Sequence, residues 1–428
     1  MGTMTEPPTD PVATGDAVVE PEGIVPPEPL TEPTFASLAI PNYRKFFLGQ
    51  AVSLAGTWMQ SVALAWLVLQ LTGSATWLGL NIALQTLPVL LLGPYAGVVV
   101  DRVDKRRLLV GTQLTAAALA LVLAVLTLDH RITLGWVLVL SVLLGIVTAF
   151  DNPARQAFVR EMVPGRLVRN AVTLNSVVVN VSRAVGPAIG GVLIAWLGVG
   201  ACFAFNAASF LAVVGAYLAM DVAALRTPEP VPHEKGQLRA GFSYVWRTPG
   251  LRIPLLMMAL VGTLTYEFQV SLPALVTGTF HDGATALGWI TAAMGAGAVV
   301  GGLVTAGRRA TGTRVVAVAA GAFGAATLLL AVMPTVYTAA AALLLVGAAS
   351  IWFLSTGNAT LQMTAEPQMR GRVMALWAVA FLGTTPVGGP LVGWVAQEVG
   401  PRWALALGGV AALVASAYGR WSHDRSGD

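Results

Sequence analysis

Apolar blocks about twenty residues long recur through most of the chain, separated by short polar interruptions, and this constrains the fold more than anything else. A hydrocarbon layer about 30 Å thick is crossed by about 20 apolar residues in helical form. Within it every backbone N–H and C=O must be bonded inside the segment. Twelve blocks can be counted, at residues 46–71, 77–100, 107–128, 133–157, 171–197, 200–221, 252–277, 284–306, 313–332, 335–359, 371–397 and 402–420. Charged residues are only 11% of the chain, against about a quarter in soluble domains. An all-α membrane protein with twelve transmembrane helices in the lipid bilayer is therefore expected.

Orientation follows from the basic residues, because short cytoplasmic loops retain Lys and Arg. With the N-terminus inside, all 25 basic residues except Arg131, Arg183 and Arg402 fall in cytoplasmic loops and tails. Both termini are expected in the cytoplasm, and the membrane is expected to be the inner or plasma membrane. The net charge of +4 is then topogenic and needs no nucleic-acid partner. Residues 1–41 hold nine of the 25 prolines and seven acids without Lys or Arg, the composition of a disordered acidic tail; a secretory signal would need a basic start and an apolar run. Residues 42–221 and 252–420 form two six-helix bundles. The linker 222–251 joins them, and 421–428 is a short tail. In the linker, Leu238, Phe242, Val245 and Trp246 fall on one helical face beside Arg239 and Arg247, as in a helix lying on a membrane surface.

Several chemistries lack their residues. The single Cys202 excludes an intrachain disulfide, and His130, His233, His281 and His423 are too scattered for a metal cluster. No Gly-Lys dipeptide occurs, so no Walker A loop holds ATP phosphates. With no nucleophile and base pair evident, neither an enzyme nor a cofactor is expected, and the chain is expected to act as a monomer.

The halves repeat. "NPARQAFVREMVPGR" from Asn152 aligns with "NATLQMTAEPQMRGR" from Asn358, pairing Asn152 and Gln156 with Asn358 and Gln362, with Asp151 and Arg155 flanking the first copy. "GPAIG" at Gly186 and Pro187 answers "GPLVG" at Gly389 and Pro390. Such duplication is characteristic of transporters built around a central site.

The loop "GPYAGVVVDRVDKRR" carries Gly93 and Gly97 on one helix face, then Asp101, Arg102, Arg106 and Arg107. Small residues at this spacing permit close approach of a partner helix. With the six-plus-six layout, this segment resembles the loop signature of the major facilitator superfamily. "DNPARQAFVREMVPGRLVRNAVTLNSVVVNVSRAVGPAIGG" and "FFLGQAVSLAGTWMQSVALAWLVLQLTGS" are similar to its transmembrane secretion effector branch, which includes enterobactin exporters and macrolide efflux proteins. The resemblance covers about residues 42 to 420. It implies a gating role for Asp101 on the eleventh helix, and it likens Gly186, Pro187, Gly190 and Gly191 to the antiporter signature of the fifth helix. Asp104 stands where the signature commonly has Gly, Ser182 replaces a glycine before the antiporter core, and the matching loop at Arg308 and Arg309 lacks an acid.

Two charges fall deep within spans. Arg183 lies deep in the fifth, where lipid exposure costs at least about 2.5 to 3.5 kcal/mol, so it should face protein or a wet cavity. It is either held by neighbours such as Asn175 and Asn180, or engaged in an ion pair or an anionic substrate. Glu267, deep in the seventh span, is positioned for the proton exchange that coupled transport requires, or pairs with Arg183. Gln60, Asn81, Gln85, Thr265, Tyr266, Gln269, Ser355 and Asn358, with Trp58, Trp352 and Trp377, are candidates to line a cavity for a bulky, partly apolar molecule. The expected function is proton-driven export of an amphiphilic small-molecule solute such as a siderophore, macrolide or other drug-like compound. The alternatives are nutrient uptake and a non-transporting scaffold or sensor.

Overall fold

The computed structural model describes residues 2, 33–226, 237–306 and 310–426. Twelve spans are found, and no strand occurs among the described residues. The first half holds α1 (Pro41–Thr72), α2 (Ala75–Arg102), α3 (Lys105–Leu128), α4 (Leu134–Met162), α5 (Val168–Leu197) and α6 (Val199–Leu218). The linker helix is α7 (Gln237–Arg247). The seventh span is α8 (Pro249–Leu264), α9 (Phe268–Leu275) and a π-helical turn Val276–Phe280. Then follow α10 (Ala284–Ala306), α11 (Thr313–Ala331), α12 (Val336–Thr364), an eleventh span of α13 (Arg370–Leu382) and α14 (Thr385–Glu398), and α15 (Pro401–Ser426). The acidic tail through residue 32, His233, and Arg308 and Arg309 lie outside the described residues.

Two spans expected to be continuous are broken. The seventh is interrupted at Thr265–Glu267 and the eleventh at Gly383–Thr384. Backbone freed at such breaks needs partners, and at the seventh-span break some are provided locally and the segment is tied to α15. Tyr266 N–H donates to the Val261 carbonyl, and Thr265 Oγ1 donates to the Gly408 carbonyl at 2.7 Å. The last helix also runs to Ser426 rather than stopping at 420, so residues 421–426 continue it in helical form.

Between helices in lipid there is little hydrophobic gain, so packing and polar links hold the bundle. One apolar core joins both halves, running from Met59 and Leu78 to Leu287 and Val392. On the side of the basic loops the cores separate. Tyr43, Phe46, Phe158 and Tyr217 pack within the first half, and Val245, Leu251, Leu361 and Val373 within the second. Val245 thus docks α7 onto the second bundle, whereas Phe242 and Trp246 stay exposed and stack at 5.5 Å.

The "DNPARQ" motif, residues 151–156, lies inside α4, which runs to Met162, beyond the sequence-based end at 157. Buried Asp151 accepts from Thr112 Oγ1 and Gln113 Nε2, both at 2.8 Å, and lies 3.7 Å from Arg155. Arg155 in turn donates to Gln50 at 3.0 Å and to Asn152 at 2.6 Å. Removing one member leaves buried polar partners unmatched. Asp151→Ala is expected to lower stability by about 3 kcal/mol, read as the melting temperature in detergent. Asp104→Ala, which removes the cap on the Arg107 N–H, should cost about 1 kcal/mol.

Candidate functional site

A cavity of about 300 Å³ lies between the halves. Trp58 on α1, Gln85 on α2 and Arg183 on α5 face it from the first half. Tyr266, Glu267 and Gln269 at the seventh-span break, Ser350 on α12, Phe381 on α13 and Thr385 on α14 face it from the second. The two helix breaks therefore deliver polar residues to the cavity, as discontinuous helices do in transporters with midplane sites.

Glu267 is 4% exposed and its Oε1 has no hydrogen-bond partner. Thr385 stands beside the carboxylate. Its bed is the backbone of α14: a Cβ at Gly388 would lie 3.0 Å from Oε1, and one at Gly389 3.7 Å from Oε2. The double glycine before Pro390 therefore makes room for the acid.

The Arg183 guanidinium carbon lies 4.9 Å from the centroid of the Trp58 ring, a cation–π contact. Its Nε is buried without a partner. Among the described residues no carboxylate lies within 4.0 Å of it. Arg183 and Glu267 share the cavity but are not an ion pair, and Asn180 bonds to the Ser176 carbonyl instead. Tyr266 precedes Glu267 in sequence and lies near Arg183 in space. Its hydroxyl faces Ser350 and Arg183 but lacks a partner of hydrogen-bonding geometry, and its ring packs edge-on to Phe381 at 4.8 Å.

Of the sequence candidates, Trp58, Gln85, Tyr266 and Gln269 line the cavity, and several others do not. Gln60 accepts from Asn206 at 2.7 Å and Asn81 from Ser141 at 2.7 Å, so both are satisfied inside the first bundle. Thr265 secures the helix break. Trp352 lines a separate apolar groove with Val300, Ala325 and Leu345. Trp377 stands behind Phe381, stacked at 5.6 Å. Ser355 donates to the Trp352 carbonyl, and Gln362 to Asn358 on the next turn. None of these differences is visible without knowing which face each helix turns inward.

The antiporter-like segment splits by face. Gly186 and Gly190 lie against Ala55, Trp58 and Met59 of α1, within their own half. Pro187 and Gly191 meet the other half, where a Cβ at Gly191 would come 2.9 Å from the Gly288 Cα and the Ala284 carbonyl. Its pseudo-equivalent is α14 on α2: a Cβ at Gly79 would overlap the Gly389 carbonyl, and one at Gly393 the Ala75 carbonyl. Gln397 adds a bond, accepting from the Ala75 N–H at 2.9 Å. Both contacts lie away from the basic loops. The sequence carried a sign of them, because "ATWLG" from Ala75 and "ATALG" from Ala284 repeat.

On the basic side the halves are apart. Among the described residues a Cβ at Gly93, Gly97 or Gly371 would meet nothing within 4 Å, so none of them packs against the small-residue face of α2 at Gly93 and Gly97. Asp101 and Arg102 are exposed at the end of α2. Arg106 bonds within its own half, donating to the last carbonyls of α6 at Tyr217 (2.7 Å) and Leu218 (3.3 Å), where a cation also complements the helix dipole. Asp104 caps α3 by accepting from the Arg107 N–H at 2.9 Å, which accounts for an acid where the signature commonly has Gly.

A family model described as "Transmembrane secretion effector" matches residues 32–424. The staphyloferrin A transporter of Staphylococcus aureus is 32% identical over 151 residues, covering 35% of this chain and 38% of that protein. The multidrug efflux pump Tap of Mycolicibacterium fortuitum is 32% identical over 249 residues, covering 56% and 60%. The chain thus spans less than two thirds of the length of these relatives. A bacterial homologue of the human lysosomal transporter Spinster shares the fold, with a TM-score of 0.71 at 14% identity over 89% of this chain and 96% of that one.

Proposed function

The chain belongs to the transmembrane secretion effector family, and from that premise we propose that it is a proton-coupled exporter moving a bulky amphiphilic solute by alternating access. The observation that carries this reading is the cavity between two pseudo-symmetric halves, sealed by glycine contacts on one side and separated on the other. Short loops rich in Lys and Arg favour the cytoplasm, so the separated side is the cytoplasmic one and the solute enters from inside. Glu267 is the carboxylate in the cavity, and it carries the proton. The relatives handle a siderophore and drugs, and the aromatic and aliphatic lining around two charges suits such compounds. One chain contains the whole cavity, so a monomer is the working unit.

Direction of movement tests the reading. A deletion strain is expected to retain more of the exported compound than its parent when siderophores, macrolides and other drugs are compared by intracellular accumulation. Reduced accumulation in the deletion strain would identify an importer instead.

A further inference from the structure

Three buried polar atoms bordering the cavity lack partners: Arg183 Nε, Tyr266 Oη and Glu267 Oε1. Arg183 and Glu267 are the two charged residues of the lining, and they do not pair with each other. A buried polar group without a partner costs free energy, and a buried charge costs more, so the cavity lining makes two separate demands of opposite sign. We propose that the solute is an amphoteric amphiphile: an apolar body bearing an anionic group that binds at Arg183 and a cationic amine that binds at Glu267. This rests on the transport reading above and adds to it the charges of the solute.

The two ends differ in chemistry. Arg183 has only donors, is held over the Trp58 ring at 4.9 Å, and has the Tyr266 hydroxyl nearby as a second donor. That pair recognises a carboxylate or similar anion. Glu267, when ionised, only accepts, and Gly388, Gly389 and Thr385 around it provide no cation. An ammonium or a proton can neutralise it, one at a time, so amine release and proton uptake exchange at one carboxylate while the anion stays with Arg183. A solute with only the amine would leave Arg183 unmatched, and one with only the anion would leave Glu267 to a proton.

The test uses the purified full chain in detergent and isothermal titration calorimetry with four probes. These are ω-aminooctanoic acid, its N-acetyl derivative, its amide and the N-acetyl amide, which carry both charges, the anion, the cation and neither. The free amino acid is expected to bind tightest, with each blocked end weakening binding by about tenfold. Arg183→Gln should remove the advantage of the carboxylate and keep that of the amine, and Glu267→Gln should do the reverse. Four probes binding alike to the unmodified protein, or variants that weaken all four equally, would overturn the proposal. The comparison on the unmodified protein decides the matter even if a variant does not fold. A protein that transports solute yet binds the four alike refutes this assignment alone, whereas the transport reading fails only on flux.

Discussion

Glu267→Gln is expected to abolish solute-driven proton movement in proteoliposomes carrying a trapped pH indicator, reducing it to the level of protein-free vesicles. The substitution is nearly isosteric, so the packing of residue 267 against Gly388 and Gly389 is kept. What disappears is the ability to alternate between charged and neutral forms, which a proton carrier needs. Solute counterflow at saturating solute and without a proton gradient should persist, because the halves and their contacts are untouched. Proton-linked flux that survives the substitution would sink the carrier role of Glu267. Loss of counterflow together with proton flux, with solute binding retained, would instead mark Glu267 as a structural residue of the helix break.

The contrast between Glu267 and the neutral polar candidates shows what was legible in the sequence. A carboxylate or guanidinium inside an apolar block has few tolerable surroundings, so the sequence confined Glu267 and Arg183 to protein or a wet cavity, and the cavity lining contains both. Amides and hydroxyls can be satisfied between helices of one bundle, and Gln60 with Asn206, or Asn81 with Ser141, are. Their rotation about the helix axis was the missing quantity. The twelve spans were legible because length and apolarity fix them. The break at Thr265–Glu267 was not, since "TLTYEFQ" contains neither Gly nor Pro and the interruption is stabilised from α15 through Gly408. In the eleventh span the glycines and Pro386 of "FLGTTPVGGP" do mark a weak point. The basic cluster after α2 was read as gate and topogenic charge, yet its Arg106 also bonds the last carbonyls of α6, as Lys45 of α1 bonds the carbonyl of its C-cap residue Ala219. That role depends on which helix end lies nearby, and sequence order alone does not give it.

The second large effect concerns the sealed side, where the repeated "ATxLG" segments of α2 and α10 put Gly79 and Gly288 against the opposite half. A Cβ at Gly79 would overlap the Gly389 carbonyl and come 3.1 Å from the Pro390 Cα; one at Gly288 would come 2.6 Å from the Pro187 carbonyl. These obstacles are backbone atoms, so no side-chain rotation relieves the overlap and the halves must part. Overpacking of this kind costs about 1 to 3 kcal/mol at each site, which alters the ratio of two conformations by roughly ten- to a hundredfold. Nothing comparable opposes closure on the basic side, where Gly93 and Gly97 face open space. Gly79→Ala with Gly288→Ala is therefore expected to shift the protein toward the state closed on the basic side and to stop transport while the chain stays folded. Spin labels on cysteines placed at exposed Val103 and Glu366, one in each half, would report the change as a shorter distance. Cys202 is fully buried and should stay unlabelled. An unchanged distance with normal transport would show that the paired glycine contacts are packing alone and not the seal that alternates.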